Sequence, residues 1–279
     1  MPVSPRVIEP VVLNAGDAVG APVPLSRLAV ELRGRLASIV ASHADPTRRA
    51  LDYHGLAASP EFASLVELAR HLRAGRPHEL ATADQQIAFW ANLYNALTMH
   101  AIIALGIRDG IADVQDFFKQ PRYDVGGQSF DLLDVEHGVL RQNRISLNMP
   151  TAVWETGDPR SRWIVDRLDP RVHFALMCGA RSCPPIRAYQ AERLDAQLEL
   201  AARAFVDNDV EVDPEAGRVR LSRLFHWYQQ DFGDVLGWIL NYLDPGPARD
   251  WLAEHRQDAQ LEYRHYDWQL NDIGRPGMG

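Results

Sequence analysis

The sequence contains little cysteine and no long apolar run. Its 279 residues include two cysteines, Cys178 and Cys183, which are too few for a disulfide-based scaffold. No run approaches the roughly 18 apolar residues that a membrane-spanning helix needs. The N-terminus lacks the charged start and apolar segment of a signal peptide. We therefore expect a cytoplasmic protein with no membrane partner, in which the two cysteines are reduced.

Nucleotide-binding motifs and an excess of positive charge are also absent. The chain has neither GxGxxG nor GxxxxGK[ST], the glycine-rich loops that hold phosphate groups. Its net charge of −8 argues against nucleic acid as a partner, because neutralising phosphates requires a basic surface. We predict no cofactor, and the expected partner is a small-molecule or peptide substrate.

What is present indicates one mixed domain. Residues 1–24 contain five prolines and little periodicity, which predicts an extended or partly disordered segment. Hydrophobic residues make up 46% of the chain, enough for a sizeable core. Short strands are scattered among helices without regular βαβ alternation. We predict a single α+β domain over 25–279, with a small antiparallel sheet and several helices around a long buried central helix.

Local patterns place the main elements. Helices are predicted over 26–43, from Ser59 onward and over 191–206. A capping box at Thr82 and Gln85 opens the central helix, which runs to Leu105 and is apolar almost all round. Hairpins are predicted around 126–127 and over 210–221. Asp131 is expected to cap a short helix, and the alternation in 171–177 predicts a strand.

The loop that follows the predicted strand has the composition of a reactive site. Gly179 permits a tight backbone turn after Cys178, which ends an apolar run and is expected to be buried. Cys183 lies beside Arg181, ahead of prolines 184 and 185 and of a helix. A nearby cation or helix N-terminus favours the thiolate form that a nucleophile needs. Cys183 is therefore the predicted nucleophile.

A cysteine nucleophile needs a base, and His137 is the first choice. It lies between Glu136 and Gly138 near the end of a predicted helical turn, whereas His173 lies within the predicted strand. Glu136 or Asn92 is expected to orient His137. Asn92 and Asn95 share one face of the central helix, so they either hold a neighbouring loop or line a polar cavity, and we favour the structural role.

Several separated motifs resemble the domain-of-unknown-function 547 family. They are FWANLYNAL at 89–97, EHGVLR at 136–141, DPRVHFALMCGARSCPP at 169–185, LSRLFHWYQQDF at 221–232 and YDWQLN at 266–271. The resemblance runs in family order from about residue 50 to residue 272. It implies that the family's characteristic residues fall here at Asn92, Tyr94, Asn95, Glu136, His137, Arg141, His173, Cys178, Cys183, Tyr228, Asp231 and Asn271.

Three functions remain open. The first is a cysteine hydrolase or acyltransferase of papain-like or transglutaminase-like type, with Cys183 as nucleophile, His137 as base, and Glu136 and Asn92 assisting. Its binding residues would be Tyr94, Asn95, Arg141, His173, Arg181, Tyr228 and Asp231. The second is a non-catalytic domain that binds a small molecule or a protein. The third is a zinc protein, for which His137, His173, Cys178 and Cys183 have suitable chemistry, although their spacing matches no zinc motif and no metal ligand is assigned.

Overall fold

The computed structural model describes residues 5–18 and 20–274 and shows an α+β arrangement, as predicted. The helices are α1 (Leu25–His43), α2 (Tyr53–Ala57), α3 (Pro60–His71), α4 (Ala83–Ala104), α5 (Leu194–Asp209), α6 (Arg223–Trp227), α7 (Gln229–Phe232), α8 (Val235–Leu240) and α9 (Pro247–His255). The strands are β1 (Val11–Val12), β2 (Pro121–Val125), β3 (Gln128–Phe130), β4 (Glu211–Asp213), β5 (Arg218–Leu221) and β6 (Gln260–Tyr263). A π-helix spans Asp134–Leu140.

Helix α4 forms the centre of the molecule. Its predicted capping box is present, because the Thr82 hydroxyl accepts from the Gln85 amide at 3.2 Å and the Gln85 side chain accepts from the Thr82 amide. Every residue from Ile87 to Ile102 is buried. Its length and composition would suit a membrane span, contrary to the sequence-based expectation, yet 89% of its most apolar stretch is buried inside the protein. It is packed as a core helix.

The strands form two small mixed sheets and not the single antiparallel sheet that we predicted. Both predicted hairpins are present, with β2 antiparallel to β3 and β4 antiparallel to β5. Each hairpin gains a third, parallel strand from a distant part of the chain, β1 in one case and β6 in the other. Local turn patterns reveal hairpins, whereas they carry no information about a strand added from far along the sequence.

The predicted strand at 171–177 is wrong. Pro170–Phe174 form a 3-10 turn, which Asp169 caps by accepting a hydrogen bond from the amide of Arg171. Proline in the first turn favours this conformation. The run from Val172 to Met177 is buried on all sides, so its apolar alternation did not reflect the two faces of a strand.

Two asparagines of α4 fix the segment that follows this turn. Asn92 donates to the Tyr189 carbonyl at 2.7 Å and accepts from the Tyr189 amide at 2.8 Å. Asn95 donates to the Ala175 carbonyl at 3.0 Å and accepts from the Met177 amide at 2.8 Å. Both side-chain amides thus complete backbone hydrogen bonds of the loop, which is the structural role we favoured.

Candidate functional site

A cavity of about 390 Å³ opens beside α4, between the π-helix, the loop that contains Cys178 and Cys183, and the chain near residue 266. That volume is in the usual range for small-molecule sites. It is lined by Tyr94, Asp116, Phe118, Lys119, Leu133, Glu136, His137, Asn148, Met149, His173, Leu176, Cys178, Pro184, Leu224, Trp227, Tyr228, Tyr266 and Trp268. The lining combines polar side chains of the π-helix with several aromatic rings.

The π-helix is fixed before it reaches the cavity. Asp131 caps the helical turn at 132–133 that leads into it, as predicted, by accepting from the Asp134 amide at 2.8 Å, and Asp134 accepts in return from the Asp131 amide. Gly138 lies directly against the Trp154 ring, where a Cβ atom would come within 2.4 Å of a ring carbon. This close approach requires glycine at 138. The wide turn presents Glu136 and His137 to the cavity, consistent with the frequent use of π-turns at functional sites.

Glu136 is a half-buried carboxylate held by two tyrosines. The Tyr228 hydroxyl donates to one carboxylate oxygen at 2.5 Å, and the Tyr94 hydroxyl donates to the other at 3.3 Å. Burial, together with the Glu136 charge, raises the pKa of both tyrosines well above the usual value. Both therefore stay protonated donors, and the carboxylate keeps acceptor capacity towards the cavity.

His137 is a neutral hydrogen-bond donor. The Arg141 guanidinium, which can only donate, lies 2.8 Å from His137 Nδ1. The imidazole proton is therefore on Nε2, the nitrogen that Arg141 leaves open. Burial lowers the pKa of His137 to about 4, with the Arg141 charge acting in the same direction and the Glu136 charge opposing it. Arg141 orients His137, which corrects the prediction that Glu136 or Asn92 would do so.

A buried ionic cluster lies behind the part of the cavity wall that Glu136 and His137 form. Arg141 binds both carboxylate oxygens of Asp231, at 2.6 and 3.1 Å, and His173 Nε2 donates to Asp231 at 2.9 Å. Burial opposes ionisation, yet these hydrogen bonds lower the pKa of Asp231 to about 2. The His173 ring stacks on Tyr228 with centroids 3.9 Å apart. The cluster thus fixes Tyr228 and His137, the two side chains next to Glu136.

A second part of the cavity wall is aromatic. Tyr266 lies 5.0 Å from Trp227 and 4.6 Å from Trp268 between ring centroids, and Trp227 stacks on Trp268 at 5.8 Å. Phe118 extends the wall at 6.1 Å from Trp268. Trp268 remains 39% exposed, so the wall reaches the mouth of the cavity.

The two cysteines form a disulfide, and this corrects two predictions. The pair is oxidised where we expected thiols, and Cys183 is not a free nucleophile. Both residues are buried, as expected for Cys178, but Cys183 is 1% exposed whereas Cys178 is 9% exposed and lines the cavity. The hydrogen bonds of His137 involve Arg141 and those of Cys183 involve Cys178 and Tyr266.

Apart from Cys183, the predicted site residues separate into three groups. Tyr94, Glu136, His137, His173 and Tyr228 line the cavity, with Arg141 and Asp231 directly behind them. The second group, Asn92 and Asn95, holds the loop. The third is Arg181, whose amide donates to the Gln269 carbonyl at 2.9 Å, outside the cavity lining.

Sequence reasoning missed the aromatic wall. Trp227, Tyr266 and Trp268 lie within motifs that we had quoted, but we assigned none of them to the site. The signal was the spacing of Tyr266 and Trp268, two large aromatic residues separated by Asp267 in a short polar segment. Binding residues are disproportionately found on loops, and Tyr and Trp are enriched at interfaces.

The zinc hypothesis gains no support from the geometry. Across residues 5–18 and 20–274, no three or more His, Cys, Asp or Glu side chains are arranged to hold a metal ion. Both cysteine sulfurs are in the disulfide. One nitrogen of each candidate histidine is already bonded, His137 to Arg141 and His173 to Asp231.

Comparison with known proteins gives one match. Residues 77–206 match the family model described as "Protein of unknown function, DUF547". The chain resembles this family. The matched region covers less than half of the chain and includes α4, the π-helix and the disulfide, but neither Asp231 nor Tyr266. No curated protein and no solved structure matches the chain.

Proposed function

We propose that the cavity binds a small organic cation with an apolar or aromatic body. The observation that carries this proposal is the Glu136 carboxylate, which faces an aromatic-lined cavity while two tyrosine hydroxyls hold it in place. A carboxylate accepts hydrogen bonds only. Its ligand must therefore offer a donor, and a positively charged donor gains most.

The charges around the cavity favour a cation. Glu136 is an anion on the wall, and its neighbour His137 is neutral at pH 7 because burial lowers its pKa to about 4. Asp231 and Arg141 pair with each other, so their opposite charges offset one another. Lys119 and Asp116 lie exposed at the rim, also with opposite charges. Glu136 therefore contributes a negative electrostatic potential to the cavity, which attracts a cation.

The aromatic wall complements such a ligand. Trp227, Tyr266 and Trp268 can contact an apolar body, and the faces of their rings attract a cation within about 6 Å. Such a contact contributes about 0.5–2 kcal/mol, depending on how far the cation is desolvated. The carboxylate and the rings thus favour the same class of ligand.

Cysteine-dependent hydrolysis or acyl transfer is the weaker hypothesis on this geometry. It needs a thiolate within reach of a base, whereas Cys183 is bonded to Cys178 and buried. The lone-pair nitrogen of His137, Nδ1, already accepts from Arg141, so the ring presents an N–H donor and not a free base to the cavity. The alternative of a binding domain requires no such rearrangement.

Three probes of one shape test the proposal. Benzylamine is a cation at pH 7, benzyl alcohol is neutral and benzoate is an anion. Isothermal titration of the full chain is expected to give binding of benzylammonium at least about tenfold tighter than benzyl alcohol, because the hydrogen bond to a carboxylate is charge-assisted. Benzoate is expected not to bind. Equal affinities for the three probes, or a preference for benzoate, would contradict the proposal.

A matched pair of variants locates the effect. Glu136→Gln keeps the side-chain shape and removes the charge, so it is expected to abolish the preference for benzylammonium over benzyl alcohol. Glu215→Gln makes the same change at an exposed turn between β4 and β5 and is expected to leave binding unchanged. An unaltered preference in Glu136→Gln would place the cation elsewhere.

A further inference from the structure

The two sulfurs of the disulfide have different surroundings. Cys178 lines the cavity and is 9% exposed, whereas Cys183 lies behind it, is 1% exposed and is not part of the lining. A molecule that enters the cavity therefore meets the Cys178 sulfur first. We propose that Cys178–Cys183 is a redox-active disulfide that exchanges with small thiols in this cavity, with Cys178 as the attacked sulfur and Cys183 as the leaving group.

The leaving sulfur has hydrogen-bond donors in place. The Cys178 amide donates to Cys183 Sγ at 3.1 Å, and the Tyr266 hydroxyl lies 3.3 Å from the same atom and 3.5 Å from Cys178 Sγ. In the disulfide neither sulfur carries a proton, so Tyr266 is the donor. Burial raises the pKa of Tyr266, which keeps this hydroxyl protonated. Both donors would stabilise a Cys183 thiolate, and exchange is faster when the leaving thiolate is stabilised.

The chemistry balances with two thiols. A thiolate RS⁻ attacks Cys178 Sγ, the bond to Cys183 breaks, and its electron pair goes to Cys183 as a thiolate. A second RS⁻ attacks the R-bearing sulfur of the mixed disulfide, which releases Cys178 as a thiolate and RSSR. Two thiols are oxidised to RSSR, and the protein disulfide gains two electrons and two protons to become a dithiol.

The loop stays in position when the bond opens. The amides of Arg181 and Ser182 donate to the carbonyls of Gln269 and Asp267, and the Asn271 amide donates to the Gly179 carbonyl. Gly179 also has a positive φ of 86° and lies so close to α4 that a Cβ atom would come 2.5 Å from Ile102. These contacts do not depend on the disulfide, so the sulfurs stay near each other and the reaction can reverse.

The chain offers a direct way to map the attacked sulfur. Trypsin cuts after Arg181, which places Cys178 and Cys183 in separate peptides. Native wild-type protein is exposed briefly to 2-mercaptoethanol, quenched in acid and digested without further reduction. Mass spectrometry is expected to find the mercaptoethanol adduct on the Cys178 peptide. An adduct mainly on Cys183, or no reduction unless the protein is unfolded, would overturn the proposal.

Two single variants provide the matched comparison. Cys183→Ser leaves one thiol on the cavity wall, whereas Cys178→Ser leaves one behind it. With 2-hydroxyethyl disulfide as the probe, Cys183→Ser is expected to gain the adduct at least about tenfold faster, since accessibility governs exchange. Circular dichroism is used to check that both variants are folded like the wild type. Equal rates of adduct formation in two folded variants would contradict the proposal. If either variant fails to fold, the wild-type peptide map decides alone.

Tyr266→Phe tests the leaving group separately. Removing the hydroxyl is expected to slow reduction of the wild-type disulfide by 2-mercaptoethanol several-fold, with Cys178 still the attacked sulfur. Tyr263→Phe, on β6 and away from the disulfide, is the control and is expected to leave the rate unchanged. If Tyr266→Phe is reduced at the wild-type rate, the Tyr266 hydroxyl does not stabilise the leaving Cys183 thiolate. The benzylammonium titration does not depend on this chemistry, so the two proposals can fail independently.

Discussion

Helix α4 is bordered by two polar regions that are buried in different ways. On one side, Asn92 and Asn95 have their amide groups bonded to loop backbone. On the other side, Tyr94 donates to Glu136, a half-buried carboxylate that keeps acceptor capacity towards a cavity. The first region is complete without a ligand, and the second is not.

The difference distinguishes buried polar groups that hold the fold together from polar groups that are available to bind a ligand. A buried amide with all its partners stabilises a unique arrangement of the loop. A carboxylate that is held by two hydroxyls yet still reachable can exchange solvent for a ligand. Substitutions in the two regions should therefore affect different quantities, the free energy of unfolding in the first and ligand affinity in the second.

The largest effect on stability is expected from Asp231→Ala. This change leaves the buried Arg141 guanidinium without its carboxylate, and an unpaired buried charge costs about 3–5 kcal/mol. Urea unfolding followed by fluorescence measures the loss. Asp195→Ala, at an exposed partner of Arg171 with 81% side-chain exposure, is the control and is expected to change stability by less than about 0.5 kcal/mol. Similar losses in both would contradict the buried cluster.

Asn95→Ala is expected to have the next largest effect. It leaves the Ala175 carbonyl and the Met177 amide without their partner, and each unsatisfied buried group costs about 1–3 kcal/mol. The free energy of unfolding should fall by about 2 kcal/mol or more, which is twice the lower limit for one group. Asn208→Ala, at an exposed site on α5, serves as the comparison. A loss below about 0.5 kcal/mol for Asn95→Ala would show that the loop is held by other contacts.

The pH dependence of stability should contain a term from His137. Its folded pKa of about 4 lies below the usual histidine pKa of 6.5, so the unfolded chain binds the proton more readily. This contribution is present above pH 6.5 and is lost as the pH falls towards 4, amounting to about 2 kcal/mol between pH 7 and pH 5.

His137→Asn isolates that term. The wild type should lose about 2 kcal/mol more than His137→Asn when urea unfolding is compared at pH 7 and pH 5. Burial raises the pKa of Asp131 and gives a term of opposite sign, but both proteins contain Asp131, so it cancels in the difference. Parallel curves for the two proteins would show that His137 is not held neutral.

The smallest effect on stability is expected from Glu136→Gln. The amide oxygen can still accept from one tyrosine, and the side chain remains in contact with the cavity, so the free energy of unfolding should change by about 1 kcal/mol or less. A loss comparable to that of Asp231→Ala would assign Glu136 to the structural cluster, and the contrast between the two regions would fail.

Sequence patterns predicted the parts of this fold that are determined locally. The capping box of Thr82 and Gln85 located α4, and glycines 126 and 127 located a hairpin. The segment from Asp169 to Cys178 was misread because its alternating apolar residues are buried on every side by distant elements. The parallel strands β1 and β6 depend on pairing between remote segments, which no local pattern encodes.

The sequence predicted which residues form the site better than it predicted their chemical roles. The motifs contained Glu136, His137, Tyr94 and Tyr228, all on the cavity. The roles depended on three-dimensional contacts. Which nitrogen of His137 carries the proton follows from Arg141, and the disulfide follows from a turn that brings two cysteines together. Neither relation can be read from spacing alone.

A crystal structure of the full chain with benzylammonium tests the central claim most directly. The ammonium group is expected within hydrogen-bond distance of Glu136, about 2.7–3.2 Å from a carboxylate oxygen, with the phenyl ring against Trp227, Tyr266 or Trp268. A benzylammonium ion bound outside the cavity, or one whose ammonium points away from Glu136 to solvent, would contradict the account.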